Sequence, residues 1–188
     1  MKTIFLFFII ILNSTAFSQL DLKLDFENDN ILDFVKITNS ENGYNFSYSL
    51  SSQNNKQFIT EKLTLGGEET TISNKGNILI IHVQFMRGEN ILKYRFSTTL
   101  KQVQLIGFNN IQYGNATHDG SGTSSYNLLT GIYEANWNKF DYKKNRLISI
   151  PKIKSKLPAK TYLLNKLNDK MLEELEDVGY NLMPKNLR

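Results

Sequence analysis

Four carboxylates crowd one short stretch near the start of the chain, residues 25–33, which we call the acidic loop. They are Asp25, Glu27, Asp29 and Asp33, with Asn30 at the sixth position of the stretch. Calcium binds six to eight oxygen atoms from carboxylates, backbone carbonyls and water. Because alternate residues of a tight loop point inward, we expect a calcium site built from these four carboxylates and the carbonyl of Ile31. An acidic turn held by local hydrogen bonds is the alternative.

A second group of reactive residue types lies in a glycine-rich stretch at residues 114–126. His118 precedes Asp119 and several serines follow, which invites comparison with a Ser-His-Asp triad. A triad is defined by its geometry rather than by closeness in sequence, and this stretch lacks a Gly-x-Ser-x-Gly elbow. The chain has two histidines and no cysteine, too few for a zinc site. We therefore predict that the protein is not an enzyme, with a hydrolase as an alternative.

The first residues have the features of a secretory leader. Lys2 precedes an apolar run at residues 4–12, and Ala16 and Ser18 offer small side chains for cleavage before Gln19. The run is about half the roughly 20 residues needed to span a bilayer. We predict a signal peptide at residues 1–18, a single β-rich domain at residues 19–188 and no membrane span after signal removal. The location would be periplasmic or secreted.

The charge balance narrows the choice of partner. The chain has 22 basic and 18 acidic residues, a net charge of +4 at pH 7, and the basic residues cluster at 143–146 and 152–160. Nucleic-acid binding needs a basic face with interleaved stacking aromatics, and an exported protein rarely meets nucleic acid. We expect instead a solvated basic surface that faces an acidic partner or an envelope polymer.

Hydrophobic alternation with period two dominates the chain. It predicts strands at residues 20–26, 31–38, 44–50, 57–65, 78–85, 91–97, 102–108, 111–113, 125–129, 132–137 and 147–150. The run at 78–85 is the most apolar and predicts a buried central strand. Residues 169–178 change to helical spacing, with Asn168 or Asp169 as the N-cap and Gly179 as the C′ residue. The fold class is therefore mainly β, an antiparallel meander (sandwich or propeller-like) with one short C-terminal helix.

The acidic loop resembles the Asp-x-Asp-x-Asp-Gly-x-x-Asp calcium loop of FG-GAP and integrin-type repeats. Here Glu27 replaces an Asp and Asn30 replaces the Gly. The stretches 105–108 and 124–131 are similar to small exported proteins of Bacteroidota and to periplasmic immunity proteins, which resemble lysozyme inhibitors and carry a calcium site. The resemblance implies a β-rich, non-enzymatic periplasmic binder with a structural calcium ion.

Lysozyme inhibitors of the invertebrate type are similar in presenting a Ser-Gly loop with a nearby Tyr to the enzyme cleft. The resemblance implies that residues 117–126 block a cell-wall hydrolase sterically. Its partner-binding residues would be His118, Ser121, Ser124 and Tyr126. A flexible connection is the simpler interpretation of the same loop. A further alternative is a calcium- and glycan-binding adhesion module with Trp137 as a stacking platform, although a core position for Trp137 is favoured.

Overall fold

The computed structural model describes residues 21–64 and 69–183. The predicted signal peptide at residues 1–18 lies outside the described residues. In the described part of the chain, no helix is long and apolar enough to cross a membrane. The chain forms two antiparallel sheets and one C-terminal helix, so the predicted mainly β fold class is confirmed.

The small sheet is a four-stranded meander in sequence order. Its strands are β1 (Asp21–Leu24), β2 (Asp33–Ser40), β3 (Gly43–Leu50) and β4 (Lys56–Ile59). The acidic loop joins β1 to β2, as the alternation on either side predicts. The turn between β2 and β3 ends at Gly43, whose φ of 135° few other residues adopt.

The large sheet has eight strands. They are β5 (Glu69–Lys75), β6 (Ile78–Phe85), β7 (Gly88–Ser97), β8 (Gln102–Gln112), β9 (Gly122–Asn127), β10 (Ile132–Asp141), β11 (Arg146–Ser149) and β12 (Ile153–Lys156). Strands β5 to β10 follow one another in the sheet, and β11 and β12 both pair with β10. Residues 132–135 of β10 pair with β12, and residues 138–141 pair with β11. The β10–β11 hairpin therefore extends past the end of β9, which pairs with β10 only as far as Trp137.

The hydrophobic alternation did not predict two strands of the large sheet. Strand β5 has one buried residue, Ile72, and β12 has none, so neither shows a clear apolar alternation. The expectation for β6 was wrong in part. It lies between β5 and β7, and Leu79, Ile81 and Val83 are buried, but the side chains between them are only half-buried. One face of the large sheet is therefore packed, and the other is open.

Helix α1 (Asp169–Leu182) lies across the packed face of the large sheet. Asn168 caps it, since its side chain accepts the N–H of Met171 at 3.0 Å. The predicted C′ role of Gly179 was wrong, because the helix continues for three residues beyond it. A Cβ on Gly179 would lie 3.2 Å from the Tyr133 hydroxyl. The glycine thus permits close approach of helix and sheet rather than ending the helix.

The buried faces of both sheets and the helix contribute to one hydrophobic core. Phe26 of the acidic loop and Tyr48 of the small sheet pack edge to face, with ring centroids 6.5 Å apart. Tyr94 and Trp137 from the large sheet and Leu175 from α1 are at most 2% exposed. Phe26 and Asp33 lie near the two ends of the acidic loop, and both are buried. The core therefore fixes the position of the loop.

Candidate functional site

The acidic loop winds around the carboxylate of Asp25. This carboxylate accepts the N–H of Asp29 at 3.2 Å and that of Asn30 at 2.9 Å. Asp29 Oδ1 in turn accepts the N–H of Ile31 at 2.9 Å, a local turn that aspartate favours. Asn28 and Asn30 adopt φ values of 58° and 66°, so Asn30 takes the left-handed conformation that the sixth position of the loop requires.

Two carboxylates of the loop reach the corner that follows β3. Glu27 accepts the backbone N–H of Ser52 at 3.0 Å and the hydroxyls of Ser51 and Ser52. Asp29 Oδ2 lies 3.0 Å from the same Ser51 hydroxyl, whose single hydrogen the two carboxylates share. These contacts tie the loop between β1 and β2 to the far end of the neighbouring hairpin.

Asp33 lies deeper than the other carboxylates, at 1% exposure. Its Oδ2 accepts the N–H of Phe26 and its Oδ1 accepts the N–H of Ser51, both at 2.8 Å. Burial raises the pKa of the Asp33 carboxyl, and the two backbone N–H donors offset part of that increase. The carboxylate joins β2 to the acidic loop and to the corner after β3, and it accepts one backbone N–H group from each.

The predicted calcium ligands therefore divide into two groups. The carboxylates of Asp25, Glu27 and Asp29 lie in the solvent-facing part of the acidic loop. The carboxylate of Asp33 is buried and accepts the N–H of Phe26. Within residues 21–64 and 69–183, no three Asp, Glu, His or Cys side chains are grouped so that they could hold a metal ion. Each of the four carboxylates of the acidic loop accepts at least one hydrogen bond from an N–H or O–H group of the protein. The calcium site stays a prediction, for which a test is given below.

The predicted partner-binding residues also divide into two groups. His118 and Ser121 lie in the connection between β8 and β9. Ser124 and Tyr126 lie on β9, on the packed face of the sheet, and are 5% and 3% exposed. The Tyr126 hydroxyl donates to the carbonyl of Pro158 at 3.0 Å, and burial raises the pKa of this phenol.

The connection at residues 115–121 is braced rather than open. The side-chain oxygen of Asn115 accepts the N–H groups of Thr117 and Asp119 at 2.9 and 3.1 Å. Asp119 Oδ1 accepts the N–H of Phe140 at 2.8 Å, and His118 Nδ1 lies 3.2 Å from the carbonyl oxygen of Tyr113. The imidazole of His118 and the carboxylate of Asp119 thus both serve to hold the loop.

Three large side chains at this end of the large sheet project into solvent. Met86 is 78% exposed in the β6–β7 turn, Tyr113 is 47% exposed after β8, and Tyr142 is 71% exposed on the β10–β11 hairpin. Arg87 links the first two, because its Nη1 donates to Gly114 O at 2.8 Å and its carbonyl accepts the N–H of Tyr113. With His118, these residues lie at the same end of the large sheet, and we call this set the loop end: Met86, Arg87, Tyr113, His118 and Tyr142.

Sequence reasoning missed most of the loop end. Met86, Tyr113 and Tyr142 stand in or beside turns, where alternation gives no face assignment. The sequence signal for such residues is a large apolar side chain in a polar turn. A single exposed side chain of this kind is common, so the signal indicates a binding surface only when several of them lie together in the fold. Trp137 is 2% exposed and lies on the packed face opposite Gly122, in the core position that was favoured for it.

No protein-family model, curated protein or solved structure matches this chain. The function must therefore be inferred from the geometry of the described residues.

Proposed function

We propose that this chain is an exported, non-enzymatic binding protein that docks on an acidic protein partner through the loop end. The partner class that we favour is a cell-wall hydrolase, which the protein would inhibit by covering its cleft. The observation that carries the proposal is the exposure of Met86, Tyr113 and Tyr142 at one end of the sheet. Methionine, aromatic residues and arginine are the types enriched at protein interfaces.

The support beneath this surface favours binding without rearrangement. The N–H of Gly120 donates to the carbonyl of Asn138 at 3.0 Å, and the N–H of Asn138 donates to Ser121 O at 2.8 Å. The loop at residues 115–121 therefore continues the pairing of β10 on the side opposite β11. A surface that is rigid before binding loses less conformational entropy on association.

The charge near the loop end fits an acidic partner. Lys143, Lys144 and Arg146 lie on the same hairpin as Tyr142, and all three are exposed. Asp141 lies 3.7 Å from the ammonium group of Lys144 and offsets that charge. The hairpin therefore keeps a net positive charge. Positive charge around an interface accelerates association with a negative surface, and salt screens this effect.

Inhibition assays test the proposal directly. We expect the purified mature protein to inhibit a lysozyme-type muramidase or a peptidoglycan amidase at near-stoichiometric amounts. Tyr142→Ala should weaken inhibition by about 30-fold, the effect of a 2 kcal/mol hot spot. The matched control is Leu100→Ala, since Leu100 is 43% exposed in the β7–β8 turn at the opposite end of the sheet. This control should inhibit like the wild type.

Two results would count against the proposal. If neither class of hydrolase is inhibited, the partner assignment fails. If inhibition survives in a Met86→Ala, Tyr142→Ala double variant that keeps its thermal midpoint, the contact lies elsewhere on the protein. The expected salt dependence adds an independent check, because association should slow as sodium chloride is raised.

A further inference from the structure

A groove lies between helix α1, from residue 172 onward, and the part of the packed face that β6 to β10 form. Its volume is about 680 Å³, within the range of roughly 300–1,000 Å³ that is usual for small-molecule sites. The apolar part of its described lining comes from both elements. The residues are Val83, Phe85, Phe108 and Trp137 from the sheet and Leu172, Leu175, Tyr180 and Met183 at the helix. This composition suits the apolar body of an organic ligand.

A row of three amides forms the polar part of the groove. Gln112 Nε2 donates to Asn110 Oδ1 at 3.1 Å, and Asn110 Nδ2 donates to Asn90 Oδ1 at 2.7 Å. Asn90 Nδ2 then donates to the carboxylate of Glu176 on α1. Asn90 and Asn110 are 2% and 9% exposed, and both side chains line the groove. The hydrogen bonds point in one direction, toward the helix.

Each amide in this row keeps unused hydrogen-bonding capacity. An NH₂ group has two hydrogens and an amide oxygen accepts two bonds, and Asn90 and Asn110 each use one of each in the row. A spare donor and a spare acceptor therefore stand together on each side chain. A ligand amide presents the complementary pair, an oxygen and an N–H. Neutral amide groups thus fit this row better than a group that only donates or only accepts.

Trp137 adds a second buried donor. Its indole N–H is buried and has no hydrogen-bond acceptor among the described residues, although Trp137 lines the groove. An unpaired buried donor costs free energy. The groove therefore combines an apolar wall with several unused polar positions.

The described charges at the groove disfavour anions. The carboxylates among the described lining residues are Glu176 and Asp177, and these lining residues include no lysine, arginine or histidine. A carboxylate or sulfonate ligand would lose hydration and meet negative charge at the rim. A neutral head group avoids both costs.

We propose that the groove is a binding site for an uncharged amphipathic molecule with an amide head group and an acyl or aryl body. The head group pairs with Gln112, Asn110 and Asn90, and the body packs between α1 and Phe108. None of the residues that define the loop end lines this groove, and the proposal does not depend on the hydrolase proposal.

Three matched probes test the ligand class: octanamide, octanoate and octylammonium chloride. Trp137 is the single tryptophan of the chain, so its fluorescence reports occupancy of the groove directly. We expect octanamide to change this fluorescence saturably and to bind at least 10-fold more tightly than octanoate. Equal or tighter binding of octanoate or of octylammonium, or no saturable response to octanamide, would overturn the proposal.

Matched variants locate the head group. Gln112→Leu removes one amide from the row and should weaken octanamide binding about 2- to 10-fold, the effect of one neutral hydrogen bond. Gln104→Leu makes the same change on the open face of the same strand and should bind like the wild type. If both variants bind octanamide equally, the amide row is not the contact. Circular dichroism melts of each variant separate a lost contact from a lost fold.

Glu176→Gln tests the charge argument. Glu176 is exposed at the rim, and glutamine keeps an oxygen that can accept from Asn90. Octanoate binding should strengthen in this variant while octanamide binding changes little. An unchanged preference between the two probes would refute the claim that rim charge disfavours anions.

Discussion

Replacing Asp33 by asparagine should destabilise the protein by about 1–3 kcal/mol, the cost of one unsatisfied buried N–H. The carboxylate accepts two backbone N–H groups, from Phe26 and Ser51, each at 2.8 Å. An amide keeps one acceptor oxygen, so the other N–H would face an NH₂ group. Asp33→Ala leaves both N–H groups without an acceptor and should cost about twice as much, roughly 2–6 kcal/mol.

The pH dependence of this effect has a definite sign. Burial raises the folded-state pKa of Asp33 above the ordinary aspartate value of 3.8. The stabilisation linked to its protonation is therefore fully present below pH 3.8 and is lost as pH rises through the folded pKa. Asparagine does not titrate, so the stability difference between wild type and Asp33→Asn should be largest in acid and should decrease across this window.

Urea unfolding and thermal melts measure the effect, with Asp21→Asn as the control. Asp21 is an exposed carboxylate on β1, so its variant should melt like the wild type. Each kcal/mol should lower the midpoint of Asp33→Asn by about 2–4 °C in a chain of this size. The whole series is repeated with a chelator.

Two outcomes would refute the assignment of Asp33 as a brace between backbone segments. One is a variant within about 0.5 kcal/mol of the wild type, the range of ordinary surface substitutions. The other is a destabilisation that disappears in the chelator, because the carboxylate would then act through a bound metal ion.

Three further outcomes are expected. If the acidic loop binds calcium, the ion at 100 times its Kd should add about 2.7 kcal/mol of stability, and an unchanged melting midpoint would remove the metal from the account. Gly122→Ala should destabilise far more than Gly76→Ala in urea unfolding, because its Cβ would lie 2.2 Å from Asn136 O whereas that of Gly76 meets nothing within 4 Å. Hydrogen bonds from Lys152 and Lys154 lower the pKa of Glu134 to about 2. In an NMR titration, the Glu134 carboxylate should therefore stay ionised and paired with the lysines at pH 4.5, and should be protonated only as the pH falls toward 2. Alanine at both lysines should return that pKa toward 4.5.

The acidic loop shows which structural features the local spacing of residues can predict. Its position between two strands, its left-handed Asn30 and its polar turn chemistry all follow from residues within nine positions of one another. The spacing alone could not show that Glu27 and Asp29 would bond to Ser51 and Ser52. Those partners stand more than 20 positions away, and pairing of β2 with β3 brings them near.

The placement of the predicted partner-binding residues shows the same limit, and their role in binding stays a prediction. We expected residues 117–126 to present one binding loop, although the alternation from residue 125 onward also predicts a strand. In the structure, β9 begins at Gly122, and its alternation turns Ser124 and Tyr126 toward the packed face. Pairing with β8 and β10 decided this, since a short polar segment has little strand signal of its own.

The sequence by itself determined the mainly β fold class, most of the strands, the start of α1 and the core position of Trp137. Each depends on periodicity or capping within a few residues, which the order of side chains specifies directly. Only the tertiary structure decided which turns share the loop end and that a groove opens under α1. Asn90 and Glu176 bond across 86 positions of the chain, and no local pattern encodes a contact that depends on how the helix packs across the sheet.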